Sequence, residues 1–260
     1  MRTHLARLAA LAGPVYAELL SGVVASVIGA FWVAGLGGAA VAAVTLAGTV
    51  ENLLLGLVLV VASGTSLRLS RALGAGDRAG AARTARAAWR LCVLVTVAIA
   101  VPGFLLRDRL AAGFLEGPAA GLAADYFAVA FPAFGLFSGQ RVADELFKGA
   151  GDTRTPMRIA LLSNALLLGL DPLLVLGAGL VPGLGVTGAA LALTTSRAVA
   201  LAVTLRLLAK RRTDRSPEVV GPENVGPERV GPEARRIVRA GAPFGLDFTA
   251  RMAVGTAQLA

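Results

Sequence analysis

The stretch Lys148-Gly149-Ala150-Gly151-Asp152-Thr153-Arg154-Thr155-Pro156 closes one long apolar run and opens the next. Its centre repeats: Leu73-Gly74-Ala75-Gly76-Asp77-Arg78 stands 75 residues earlier, again where an apolar run ends among arginines. Local chemistry reads each copy as a tight joint between two helices. A glycine just past a helix end takes the left-handed conformation that closes the last turn. The aspartate then caps the next helix by accepting a bond from its free N–H groups, and Pro156 suits a first helical turn. Between the copies lie two apolar runs, each long enough for the roughly 20 residues that cross a bilayer. The same turn therefore recurs on the same face of a membrane. Internal duplication of this kind is a habit of transporters.

Composition agrees. Only 16% of the 260 residues are charged, against about 25% in soluble domains, and the mean hydropathy is +0.72. A net charge of +9 would suggest a nucleic-acid partner in a soluble chain. Here the arginines gather in short segments between apolar runs, and no basic stripe alternates with aromatics as a strand-binding groove requires. Membrane lipid, not nucleic acid, is the expected surroundings. A single cysteine, Cys92, and a single histidine, His4, leave no intrachain disulfide, no Cys/His metal centre and no histidine-based catalysis to expect. No cofactor is expected. The first apolar run is too long for a cleavable signal peptide.

Six complete spans are predicted at about Gly13–Leu36, Ala39–Leu67, Arg86–Leu106, Pro118–Phe147, Pro156–Ala178 and Leu184–Leu208. Ala234–Ala260 starts like a seventh. The fold class is therefore all-α, a polytopic transmembrane helical bundle. Lys and Arg crowd the segments after spans two, four and six, while the loops after spans one and five have none. That asymmetry predicts a cytoplasmic N-terminus (residues 1–12) and places both Gly-Ala-Gly-Asp turns in the cytoplasm. Residues 209–233 read as a cytoplasmic linker, since Val-Gly-Pro-Glu recurs there three times and Gly-Pro pairs forbid a continuous helix. Pro102, Pro132 and Pro172 are expected to kink spans three, four and five.

In this order and spacing the pattern resembles the multidrug and toxic compound extrusion (MATE) transporters. The likeness rests on both Gly-Ala-Gly-Asp stretches, on Asn164 to Gly177 with Asp171-Pro172-Leu173-Leu174 inside it, on Gly183-Leu184-Gly185-Val186-Thr187-Gly188-Ala189-Ala190, and on Pro14. It covers most of residues 10–208. The resemblance implies two six-helix lobes joined by a cytoplasmic linker, in a cell (inner or plasma) membrane. It implies export of small organic, often cationic, molecules against an inward flow of protons or sodium ions. Residues 13–208 would be the first lobe and 234–260 the start of the second. The chain is then expected to be a truncated form, lacking the second lobe unless two copies pair as a homodimer.

Ionisable residues inside spans are costly, and they are functional candidates by default. Asp171 lies mid-span, and the resemblance makes it the span-five carboxylate of the first lobe's cation cavity. Asn164, seven residues earlier, falls on the same helical face. The family often has a further asparagine four residues before the aspartate, where this chain has Leu167, and an aspartate where it reads Gly29-Ala30-Phe31-Trp32. Glu51, beside Asn52, is a candidate replacement in the cation or substrate cavity. Pro172 is a candidate hinge. Glu18 is expected to snorkel to the interface. Asp144 and Glu145 are expected to pair with Arg141 and Lys148 at helical spacing. Asp247 and Arg251 are spaced to pair in the same way, and Arg197 would find Glu51 or Asp171 across the bundle. Trp32, Trp89, Tyr16 and Tyr126 read as interface anchors.

The expected function is a secondary antiporter, not an enzyme. The alternatives are a lipid-linked saccharide flippase, which calls for a cationic cavity, and a non-functional fragment. A lipid-modifying membrane enzyme would need paired aspartates or a histidine at a membrane face, and no such set is evident.

Overall fold

The computed structural model describes residues 2–178, 181–213 and 231–257. The first two Val-Gly-Pro-Glu repeats lie outside the described residues, as do Gln258–Ala260 and the side chain of His4. The chain runs α1 (Arg2–Ala34), α2 (Gly38–Gly74), α3 (Arg78–Leu105), α4 (Arg107–Phe114), α5 (Pro118–Ala130), α6 (Phe134–Gly149) and α7 (Arg154–Val175). A two-residue antiparallel pair, β1 (Gly177–Ala178) and β2 (Val181–Pro182), then leads to α8 (Gly185–Thr213) and α9 (Gly231–Ala257). That two-residue hairpin leaves the all-α class of the bundle unchanged. The expected linker is also shorter at both ends: α8 continues to Thr213, and Gly231-Pro232-Glu233 of the third repeat opens α9. Proline is tolerated there because a first helical turn has no use for its N–H.

Five helices are long and apolar enough to cross a membrane, and α5 with α6 makes a sixth span bent by 54°. The break falls at Pro132, where the missing N–H interrupts the helical ladder. At Pro102 and Pro172, in contrast, α3 and α7 continue as single helices. Large apolar side chains such as Leu20, Val27, Phe31, Leu94 and Val101 stand on the outside. The interior at one end is built from small residues, including Ala40, Ala43, Ala47 and Ala123 around Phe127 and Phe131. An apolar exterior around a tightly packed interior is what lipid as solvent selects. The chain is a multi-pass membrane protein. The helix α9 carries Arg235, Arg236, Arg239 and Asp247 and is not among the helices apolar enough to span. The segment Ala234–Ala260, read as the start of a seventh span, is helical to Ala257.

Both Gly-Ala-Gly-Asp copies form the same joint. Gly76 and Gly151 take φ of 72° and 84°. The N–H of Asp77 returns to the Ala72 carbonyl at 2.9 Å and that of Asp152 to the Phe147 carbonyl at 2.9 Å. These six-to-one bonds satisfy carbonyls that a helix end leaves free. The Asp77 carboxylate then accepts from Gly80 N at 2.7 Å, and that of Asp152 from Thr155 N at 3.0 Å. The aspartates are spent on caps.

Two close approaches lock the helices. A Cβ on buried Gly188 of α8 would strike the Leu174 carbonyl of α7, and one on Gly241 of α9 would strike the Val60 carbonyl of α2. Because the obstacle at Gly188 is backbone, Gly188→Val is expected to cost about 3 kcal/mol, the upper end for overpacking. A lowered thermal midpoint in detergent, with Gly188→Ala intermediate, is the check.

At the arginine-rich end, Glu233 clasps α9 to the bundle. Its Oε1 accepts from Arg68 Nη2 at 2.6 Å and from Thr84 Oγ1 at 3.2 Å, and its Oε2 accepts from Arg236 at 3.3 Å. Partial burial pushes the carboxyl pKa up, but the Arg68 contacts outweigh it and hold the group below its ordinary 4.5. A depressed pKa means the clasp contributes fully above pH 4.5 and is lost as pH falls through the lower folded value. Hydrogen exchange in the first turns of α9 is expected to quicken relative to α2 below that window, and Glu233→Gln is expected to produce the same loosening at neutral pH.

Candidate functional site

Five of the six spans, all but α3, line one cavity of about 730 Å³, within the size range of ligand sites. Four carboxylates face it, Glu18 from α1, Glu51 from α2, Asp144 from α6 and Asp171 from α7, with the guanidiniums of Arg141 and Arg197. The sequence candidates Asp171, Asn164 and Glu51 are thus brought to one space, though their surroundings differ.

Glu51 is engaged. Arg197 of α8 donates from Nη2 to Glu51 Oε2 at 3.0 Å and from Nη1 to Oε1 at 3.4 Å. The same guanidinium lies 4.8 Å from the centre of the Phe137 ring, a cation–π distance. Of the two partners that the sequence offers Arg197, Glu51 is the one it takes. Asn164 donates to Ser21 Oγ at 2.8 Å, tying α7 to α1.

Asp171 differs from both. It is 5% exposed, and among the described residues it has neither an ion-pair nor a hydrogen-bond partner. Gly29 of α1 leaves room for it, since a Cβ there would sit 3.1 Å from Asp171 Oδ2. Pro172 follows within α7, and its ring leaves the Leu168 carbonyl without its helical donor.

Three expectations are corrected. Glu18 does not snorkel outward: its side chain is 10% exposed and meets Lys148 at 3.3 Å and Arg141 at 3.9 Å. Of the pairs expected along α6, Glu145 does meet Lys148, at 3.4 Å, but Asp144 pairs with no cation within 4 Å among the described residues. Helical spacing counts neighbours along α6 only, whereas α1 presses Glu18 against the same face. Tyr126 and Trp89 are not interface anchors. They are buried at 6% and 5%, because their helices turn those faces to the bundle. The expected pair Asp247–Arg251 is present at 3.0 Å.

Sequence reasoning missed Gln140, Thr204 and Phe137. Nothing in one helix marks them, but each lies on the face of α6 or α8 that carries small or polar residues at helical spacing. Chemically the cavity offers two carboxylates in ion pairs, Glu18 and Glu51, and two, Asp171 and Asp144, with no ion-pair partner within 4 Å among the described residues.

Comparison with known proteins gives the same lineage. The MatE family model matches residues 14–173. The chain is 34% identical over 158 residues to the probable multidrug resistance protein NorM of Thermotoga maritima, covering 60% of this chain and 34% of that one. It is 30% identical over 182 residues to the FAD transporter of Shewanella oneidensis, covering 68% and 40%. A MOP superfamily transporter from Pyrococcus furiosus superposes with a TM-score of 0.82 at 26% identity, over 93% of this chain and 52% of that chain. The chain spans 34–40% of the length of these curated relatives and 52% of that of the solved structure. With the family model matching well over half its residues, the chain belongs to the MatE family.

Proposed function

We propose that this chain is the first lobe of a secondary antiporter that exports small organic molecules in exchange for protons or sodium ions. The observation that carries this is Asp171, a buried carboxylate with no partner among the described residues, facing a cavity walled by five spans. An ionisable group so placed is costly unless it binds something. A proton or sodium ion there, released when the helices rearrange, couples the gradient to the cavity. The engaged arginines favour this reading over a flippase for lipid-linked saccharides, since the unpaired charges in the cavity are negative. The arginine-rich end faces the cytoplasm of a cell membrane, by the excess of Lys and Arg on that side. Alternating access needs a second lobe to rock against the first, supplied past the linker or by a second copy.

Proteoliposomes carrying this lobe with its partner lobe, covalent or a second copy, test the proposal. Ethidium is expected to move against its gradient when an opposing proton or sodium gradient is imposed. Movement indifferent to both gradients would overturn it.

A further inference from the structure

Asp144 is the second carboxylate of the cavity with no ion-pair partner within 4 Å among the described residues, and it is built into a network that no cap explains. It is 7% exposed. Its Oδ1 accepts from Gln140 Nε2 at 2.7 Å. The other proton of that amide nitrogen reaches Thr204 Oγ1 at 3.1 Å, and Thr204 gives its only proton to the Ala200 carbonyl at 2.8 Å. Thr204 Oγ1 is also 3.2 Å from Gln140 Oε1, but the shorter contact takes the proton. Asp144 Oδ2 is left without a hydrogen-bond partner among the described residues. A buried carboxylate that lines the cavity and is held through Gln140 to Thr204 of α8 suits a cation.

The charged neighbours do not fill that role. Arg141 and Lys148 are drawn to Glu18, and Lys148 also to Glu145. Position separates this site from Asp171. Asp144 is five residues before the end of α6, while Asp171 is seventeen residues into α7. At 1.5 Å per residue the two differ in depth by roughly 18 Å. Both can hold a cation at once, since repulsion is weak at that separation.

We propose that Asp144, oriented by Gln140 and Thr204, is a second cation site of this cavity, and that it takes the positive group of an organic cation while Asp171 serves the coupling ion. The division of labour rests on the antiporter reading. Ethidium is permanently charged, so its binding to the purified chain in detergent, followed by fluorescence anisotropy, isolates the organic cation from protons. Asp144→Asn is expected to weaken ethidium binding by about tenfold, the equivalent of one lost charge-assisted contact. The loss should exceed that in Asp171→Asn, and Asp144→Glu should recover most of it. Should Asp144→Asn fail to fold, Gln140→Leu leaves the carboxylate but removes its anchor, and must also weaken ethidium. A larger loss in Asp171→Asn than in Asp144→Asn overturns this site and leaves the antiporter intact. Displacement of ethidium by sodium from the Asp171→Asn variant would give Asp144 to the coupling ion and overturn the assignment. Absence of ethidium binding by the unaltered chain would overturn both readings.

Discussion

Asp171→Asn is expected to leave the protein folded and to abolish gradient-driven export of ethidium. The substitution is nearly isosteric, and Asp171 makes no hydrogen bond or ion pair among the described residues whose loss would loosen α7. Stability should therefore change little. What changes is chemistry. An amide neither takes up and releases a proton nor offers the full negative charge that draws sodium out of water. Coupling needs a group whose cation occupancy differs between the inward- and outward-open states, because a ligand shifts a conformational equilibrium only by its differential affinity. Asp171 is a residue with an unspent charge, buried at 5% exposure, beside a proline that loosens the local helix. Export in proteoliposomes should fall to the level of empty vesicles, while the size-exclusion profile stays that of the unaltered protein. Unchanged efflux in Asp171→Asn would remove this residue from the coupling mechanism.

Removing Glu51 is expected to lower stability through the charge it leaves behind. Glu51→Leu strands the Arg197 guanidinium in the membrane interior with only the Phe137 ring beside it. Breaking a buried pair from one side costs about 3–5 kcal/mol, and the lower end, about 3 kcal/mol, applies because the side chains retain 25% exposure to the cavity. The double variant Glu51→Leu/Arg197→Leu is expected to recover most of that loss, since two apolar side chains strand no charge. Thermal unfolding of the four proteins in one detergent measures the cycle. If the double variant is as unstable as Glu51→Leu, the pair is not the source of the effect.

The legible part of this fold and the illegible part divide along physical lines. The spans, the two joints and the break at Pro132 are local: apolar run length, left-handed glycines, aspartate caps and a missing N–H act within a few residues. Asp171 is legible for a similar reason, because a lone carboxylate in an apolar run is conspicuous. Asp144 and Glu18 show where such reading stops. Along α6, Asp144 has Arg141 and Lys148 at helical pairing spacing, yet both cations meet Glu18 of α1, more than a hundred residues away in sequence. Tyr126 and Trp89 stand near span ends by position and lie inside by rotation of their helices.

By itself, then, the sequence determined a helical membrane bundle with a doubled joint and one conspicuous intramembrane carboxylate. The energies involved, transfer of apolar runs into lipid and closure of single turns, do not depend on which helices meet. Tertiary structure alone decided which charges are spent. Arg197 goes to Glu51 and Lys148 to Glu18, while Asp144 and Asp171 have no cation within 4 Å among the described residues. A charge in a membrane seeks the nearest opposite charge in space, and that neighbour is chosen by helix packing.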